Sequence, residues 1–591
     1  MFILRWFWSI LKGALNTLAR AAVILVLLFI VLAVVGSASD QDLPDKMVLA
    51  LDLRETLDDK TTPDFFDFET RKMSLIDVAL GLDAASRDAR VSGVFLRIGS
   101  GDLSVPESEE LRESLKRFQE SDKFVIAHSQ SFYSNGLGDY AVAALADELW
   151  MQPASAFFAA GTASTTLFFR GLFDKIEAQP QFVQRYEYKN AANVFTETDF
   201  TPEHREATER LLVSWYETAT NEIALDRGIE REALLDILNQ SPLVVGDAVE
   251  NGLVTNIGYD DDARDAALAR AGDDAELEDF SAYVRADREA RMNAQGPVVA
   301  LVHAAGEIVE GSVGGALTGP VLIAGDDFAE AIRAATEDES VRAILLRVDS
   351  PGGSAIASDQ ILDALNKAQA AGKPLVVSMG TLAASGGYYI SLGADSIVAH
   401  PGTLTGSIGV LWEKVATGRS LDLIGVHGEE LSVGDNALFL SGLEPWSAEQ
   451  LLEVDAQADA IYQDFTGKVA QGRDLTLEQV DEVARGRVWT GADAFERGLV
   501  DELGGFWTAV ESAKRLAKID PETEVAFRQY PRERGFLERL ESVFEISSAG
   551  IKAMHGLDTL MSLEAVQAVL SATREAPSRR AEMRAVGLPQ R

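Results

Sequence analysis

The sequence predicts an α/β protein made of two copies of one unit, carried behind an apolar N-terminal segment. Three observations predict it. Short apolar runs alternate with amphipathic helical patterns through most of the 591 residues, the alternation that packs helices on a sheet. A stretch beginning at residue 91 recurs at residue 341, and residues 21–35 form an unbroken apolar run. The length implies several folding units. An apolar content of 47% supplies large cores.

With Gly36, Ser37 and Ala38 the apolar run reaches 18 residues, close to the shortest helix that spans a bilayer. Arg5, Lys12 and Arg20 precede it, and Asp40, Asp42 and Asp45 follow it. The positive-inside rule puts residues 1–20 in the cytoplasm as an interfacial segment with Trp6 and Trp8. Residues 21–38 then form a membrane anchor, and the rest lies beyond it. A signal peptide cut near Gly36-Ser37-Ala38 is the alternative, disfavoured by the long segment before the apolar run. The net charge of −40 argues against a nucleic-acid partner. With no cysteine, disulfides, thiolate nucleophiles and cysteine–zinc sites are excluded.

Beyond the anchor, apolar runs predict strands at 47–53, 94–98, 124–128, 298–303, 343–348, 374–379 and 396–399. Amphipathic spacing predicts helices at 75–86, 107–120, 202–227, 328–337, 357–371 and 448–471. The acidic stretch 260–289, rich in Asp, Glu and Ala, reads as the weakest-structured part, with a helix as its other reading, and falls where a domain junction belongs. The expected units are therefore 45–290 and 297–530, followed by a helical segment and basic tail at 531–591.

The repeat directs the functional reading. Val91-Ser92-Gly93-Val94-Phe95-Leu96-Arg97-Ile98 aligns with Val341-Arg342-Ala343-Ile344-Leu345-Leu346-Arg347-Val348, an offset of 341 − 91 = 250. The same offset pairs Lys123 with Lys373 and Asn135-Gly136 with Ser385-Gly386. In the second copy, a turn from Gly380 through Ala384-Ser385-Gly386-Gly387 lifts one serine to a helix N-terminus, a place suited to a nucleophile. The first copy has asparagine there, which is no oxygen nucleophile. The second copy also holds Asp349-Ser350-Pro351-Gly352-Gly353-Ser354, whose glycine N–H groups, with that of Gly386, suit a carbonyl oxygen. The first copy reads Ser100-Gly101-Asp102-Leu103 instead.

A nucleophilic serine needs a base. None of the six histidines stands in a triad motif, and His400 reads as a loop residue. No metal-ligand spacing occurs, so no metal or cofactor is expected. Lys189, among aromatic and small residues, is a candidate base; an ordinary ion-paired lysine is the other reading. Val410, Leu411 and Trp412 read equally as groove wall or core.

Four segments carry a resemblance. Asp349–Ser354, Leu382-Ala383-Ala384-Ser385-Gly386-Gly387-Tyr388, Leu404-Thr405-Gly406-Ser407-Ile408-Gly409 and Tyr188-Lys189-Asn190-Ala191 resemble the motifs of the signal peptide peptidase A family, in its long membrane-anchored bacterial form. The departures are Asp349 for the usual Asn, Leu382 for Met and Asn190 for Ser. The resemblance implies tandem domains of the Clp protease/crotonase-like fold, a superhelix of β-β-α turns. It implies a Ser/Lys dyad with Ser385 as nucleophile, Lys189 as base, Ser407 orienting the lysine, and an oxyanion hole from Gly353 and Gly386. It also implies remnant signal peptides as substrates and a homotetramer. In the second copy Gly434-Asp435-Asn436-Ala437 stands where the lysine motif belongs, so each copy keeps half of the dyad. A crotonase-type acyl-CoA enzyme and a non-catalytic membrane scaffold remain as alternatives.

Overall fold

A computed structural model describes residues 43–531 apart from 56, 60–72, 100–102, 133–135, 293–295 and 313–320. The anchor at 21–38, the segments 1–20 and 532–591, and Asn135 lie outside the described residues. Within them, no helix is long and apolar enough to cross a membrane.

The first copy runs β1 (Met47–Asp52), α1 (Leu75–Arg87), β2 (Val91–Ile98), α2 (Val105–Gln119), β3 (Phe124–Ser129), α3 (Leu137–Ala143) and β4 (Glu148–Met151). After a long excursion containing β5 (Gln179–Arg185) come α4 (Pro202–Arg227), β6 (Asn256–Ile257), α5 (Asp260–Ala271) and β7 (Glu276–Asp279). The sheet order is β6-β4-β3-β2-β1-β7, with every pairing parallel. Strands buried on both faces explain the near-continuous apolar runs. Capping boxes start the helices: Ser74 with Asp77 for α1, and Ser104 with Glu107 for α2.

The second copy repeats this order. Its elements are β8 (Val298–Ala305), β9 (Glu307–Val309), α6 (Gly325–Glu337), β10 (Val341–Ser350), α7 (Ala355–Ala370), β11 (Leu375–Ala384), α8 (Gly386–Ser391) and β12 (Ser396–Ala399). They continue with β13 (Leu404–Gly406), β14 (Val410–Ala416), α9 (Ala448–Arg473), β15 (Val488–Thr490), β16 (Glu502–Leu503), α10 (Phe506–Leu516) and β17 (Ala526–Tyr530). The duplication extends to single contacts. Lys123 donates to the carbonyls of Ala85 and Asp88, as Lys373 does to those of Asp338 and Val341. Asp147 accepts from the Val125 N–H, as Asp395 does from that of Leu375.

Two expectations need correction. The acidic stretch 260–289 is not weakly structured but largely helical, as its other reading had it: α5 covers the first sheet, with Ala263 and Ala267 buried against Phe95 and Phe124, and β7 closes its edge. The turn expected to begin at Gly380 begins five residues later, because β11 continues to Ala384.

Three of the junctions between the copies bear on the site. An apolar seam sets Ile76 and Ala79 of α1 against Val299, Leu301, Phe506 and Trp507. β5 of the first copy pairs antiparallel with β14 of the second, from Arg185 opposite Val410 to Gln179 opposite Ala416. Val410 is thus core, and Leu411 and Trp412 belong to the strand that ties the copies together. Third, fully buried Arg347 of β10 bonds Asp59 (2.7 Å) and Glu110 (2.7 Å), both from the first copy. His303 pairs with the same Asp59, and His400 lies 3.2 Å from Glu110. Such a charge cluster is tolerable inside a protein only because every member has partners.

His400 does lie in a loop, just after β12, but it is buried. Burial is the largest single influence and lowers its pKa, but the charge and hydrogen bond of Glu110, with the charges of Glu109 and Glu113, together outweigh it and raise the pKa to about 9. The fold also gathers Glu110, Glu113 and His400 into a cluster with metal-ligand spacing that no local motif announced. Those carboxylates are already engaged. Glu110 takes Arg347 and the Phe506 N–H, and Glu113 caps α10 through the N–H groups of Gly505, Trp507 and Thr508.

Candidate active site

The second sheet forks at β11. Its first half, Val376 to Met379, pairs with β12, and its second half, Leu382 to Ala384, pairs with β13. The fork delivers Ser385 to the end of β11 with φ 55° and ψ −116°, a strained backbone for any residue but glycine. The Ser385 N–H donates to Gly406, at the end of β13, across 2.9 Å. Ser407 follows Gly406 directly, so the ladder sets both serines at once.

The double glycine lies against this turn. A Cβ on Gly352 would stand 2.6 Å from the Gly386 nitrogen and 2.9 Å from the Ser385 Cβ. Only glycine permits that approach, and at φ +103° only glycine is unstrained. Gly353 forms a parallel bridge with Ile308, in which the Ile308 N–H donates to Gly352 and its carbonyl accepts from Ser354. The geometry of a parallel ladder then turns the Gly353 N–H away from Ile308. Gly386 lies close by: its Cβ would stand 3.2 Å from the Gly353 nitrogen. As the first residue of α8, Gly386 has an N–H with no partner in its own helix.

Lys189 comes from the first copy. It follows β5, which crosses onto the second copy at β14, and so its side chain reaches Ser385 from 196 residues upstream. Its Nζ lies 3.1 Å from Ser385 Oγ, 2.9 Å from Ser407 Oγ and 2.9 Å from the Ser407 carbonyl oxygen. Only 8% of Lys189 is exposed. Burial pushes its amine down to about 8. The five residues singled out in the sequence thus come together in one place, within a single chain.

Three residues of the site were given no role in the sequence reading. Gly486, at φ +85°, packs directly on the Lys189 backbone: a Cβ there would stand 2.4 Å from the Lys189 Cβ. Beside it, the Arg485 carbonyl accepts from the N–H groups of Tyr186 and Tyr188, and its guanidinium pairs with Glu187. Asp349, noted only as a departure from the usual Asn, accepts from the Leu382 N–H in the strand before Ser385. Gly486→Ala should displace Lys189 and lower kcat about 10²-fold with KM little changed, in steady-state peptide hydrolysis.

In the second copy, Asp435 lies 246 residues after Lys189, the offset that also relates α9 to α4 (448 − 202). It is exposed, in a turn.

A serine at a strained strand–helix turn, a buried amine of depressed pKa and adjacent inward-facing N–H groups form the kind of centre found in serine hydrolases that use a lysine base. The chain belongs to peptidase family S49, which matches residues 117–273 and 367–520, once in each copy. It is similar to Protease 4 of Salmonella typhi, 31% identical over 545 residues that cover 87% of this chain and 86% of that protein. Protease 4 of Haemophilus influenzae is 32% identical over 470 residues, 77% of this chain and 75% of that one. The chloroplastic serine protease SPPA of Arabidopsis thaliana is 31% identical over 530 residues, 88% and 77% of the two chains. The protein is a serine protease of this family, and an acyl-CoA enzyme or an inert scaffold is not favoured.

Proposed function

We propose that the protein is a membrane-anchored endopeptidase for apolar, unfolded peptides, remnant signal peptides above all. In this reading Ser385 is the nucleophile and Lys189 the general base. Ser407 orients that base, and the N–H groups of Gly353 and Gly386 receive the oxyanion. The contacts of Lys189 Nζ carry it. A neutral amine has two N–H groups and one lone pair. Both N–H groups are accounted for by Ser407, through its carbonyl and its hydroxyl oxygen at 2.9 Å each. The lone pair is left for the Ser385 hydroxyl at 3.1 Å.

Catalysis then follows from the geometry. Ser385 Oγ attacks the peptide carbonyl as its proton passes to Lys189, and the oxyanion forms under the two glycine N–H groups. Lys189 returns the proton to the leaving nitrogen as the C–N bond breaks, which leaves an ester on Ser385. Water, deprotonated by Lys189, hydrolyses that ester and frees the serine. Because both groups come from one chain, mixing full-length Ser385→Ala and Lys189→Ala proteins should restore no hydrolysis. Restored activity would mean that the pair forms between chains.

Location supports the substrate class. An anchor at residues 21–38 would hold both copies just outside the inner membrane, where apolar segments are released. In vesicles, the protein should cleave an unfolded apolar peptide of about 20 residues and spare a folded soluble protein. Equal rates on both would overturn the assignment.

The repeat supports self-assembly into a ring, for which we propose a homotetramer. Inside the chain, β14 of the second copy pairs with β5 of the first. The first-copy counterpart of β14 is 162–168, shifted by the 248 residues that relate Arg170–Lys175 to Gly418–Leu423. The second-copy counterpart of β5 is 425–431, shifted by 246. Neither forms a strand, and both regions expose apolar side chains: Leu167 is 63% exposed and Leu431 92%, and Val433, two residues further on, is 99% exposed. One chain's 162–168 against the next chain's 425–431 would repeat the internal junction head to tail, and such contacts give a ring where the rotation between chains closes. Light scattering in detergent should give four times the 63.8 kDa chain mass, and Leu431→Asp with Val433→Asp should give a monomer.

A further inference from the structure

We propose that Asp349 is a positioning residue for Ser385, its carboxyl replacing a ladder hydrogen bond that a bulge removes from the strand bearing the nucleophile. The inference rests on the Ser385/Lys189 reading and adds a residue to it.

The bulge is visible in the register. β10 and β11 run in step from Ile344 opposite Leu375 to Val348 opposite Met379, and then Ser350 falls opposite Ala383. Two steps along β10 thus match four along β11. The extra residues free β11 to leave β12 and join β13, which is how Ser385 reaches the edge where Lys189 arrives. A bulge also leaves backbone groups without ladder partners. One of them, the Leu382 N–H, is taken by Asp349 Oδ1 at 3.0 Å. Room for that carboxyl depends on Gly380, where a Cβ would stand 3.1 Å from Asp349 Oδ1. The neighbouring groups of the bulged segment are held as well: Thr403 Oγ1 donates to the Gly380 carbonyl and Thr405 Oγ1 to that of Ala383, each at 2.8 Å. Among the described residues, Asp349 supplies the one side-chain acceptor to this bulged segment, at Leu382, three residues before Ser385.

The charge of this carboxyl will also be felt. Arg347 faces it with a positive charge, and Asp59 and Glu107 face it with negative ones. Burial first, then the Asp59 charge, pushes Asp349 up to about 7. Near neutral pH it therefore passes from a neutral acid to an anion beside the strand on which the oxyanion must form. Asparagine keeps the acceptor and never ionises.

The test measures kcat and KM from pH 6 to 9 for wild type, D349N and D349A, with Ser385→Ala alongside. D349A should lose at least tenfold in kcat with KM changed less than about threefold, because a strand is misplaced and no binding group is lost. D349N should recover most of that loss, and its kcat relative to wild type should rise with pH as the wild-type residue ionises. Wild-type kcat in D349A, or D349N no better than D349A, overturns the proposal. Should D349A fail to fold, a D349N-to-wild-type ratio flat across that pH range overturns it. An active Ser385→Ala protein would instead overturn the dyad reading itself, so the two failures are distinguishable.

Discussion

Ser385→Ala should abolish peptide hydrolysis, lowering kcat by at least about 10⁴-fold, while the melting temperature stays within a degree or two of wild type. The second half of this expectation matters as much as the first. Alanine keeps the Cβ, so the φ of 55° is strained to the same degree in both proteins. The side chain removed is a single hydroxyl, in a half-buried place. The contacts that hold β11, from Asp349, Thr403 and Thr405, do not involve it. Loss of activity with an unchanged melting transition therefore isolates chemistry from folding. Circular dichroism melts beside steady-state hydrolysis decide the matter.

Lys189→Met should be as inactive as the serine variant, and Lys189→Arg no better. A guanidinium stays protonated at any pH a protein survives, so it has no lone pair to take the Ser385 proton. In wild type, kcat should rise with pH through about 8, where the buried amine loses its proton. The same burial has a stability signature. The folded-state pKa lies below the unfolded one, so between about 8 and the ordinary lysine value the unfolded chain binds the extra proton. Stability from this group is at its lowest below pH 8 and is regained as pH rises, by about 3 kcal/mol in all. Lys189→Met lacks the cost and should melt higher than wild type at pH 7. An equal or lower melting temperature would mean that the lysine is not held charged in an apolar place.

Much of this site could be read from the sequence because duplication printed it twice. Ser385 stood out against Asn135, and the double glycine against Ser100-Gly101-Asp102, without any structure. The elements between were also readable, since strands buried on both faces are continuous apolar runs; 202–227 was foreseen to the residue. The failures share one cause, which is that local pattern does not record what approaches from elsewhere. The stretch 260–289 looked loose because its charges face solvent, while Ala263 and Ala267 are small residues that pack well but carry little apolar signal. His400 reads correctly as a loop residue, but its burial and its ion pair were not readable, because its partner Glu110 lies in the other copy. Gly486 could not be singled out, since its importance is that the Lys189 backbone lies against it. The long reach of β5 across to β14 was invisible for the same reason, yet it is what brings Lys189 to Ser385.

The central claim is that one serine, in the second copy, does the chemistry with a lysine from the first. A serine-directed fluorophosphonate, followed by mass spectrometry of the labelled peptide, tests it most directly. Labelling should fall on Ser385 alone, rise with pH through about 8 as Lys189 loses its proton, and vanish in Lys189→Met. A label on another serine, or labelling of Ser385 at the wild-type rate without Lys189, would contradict it.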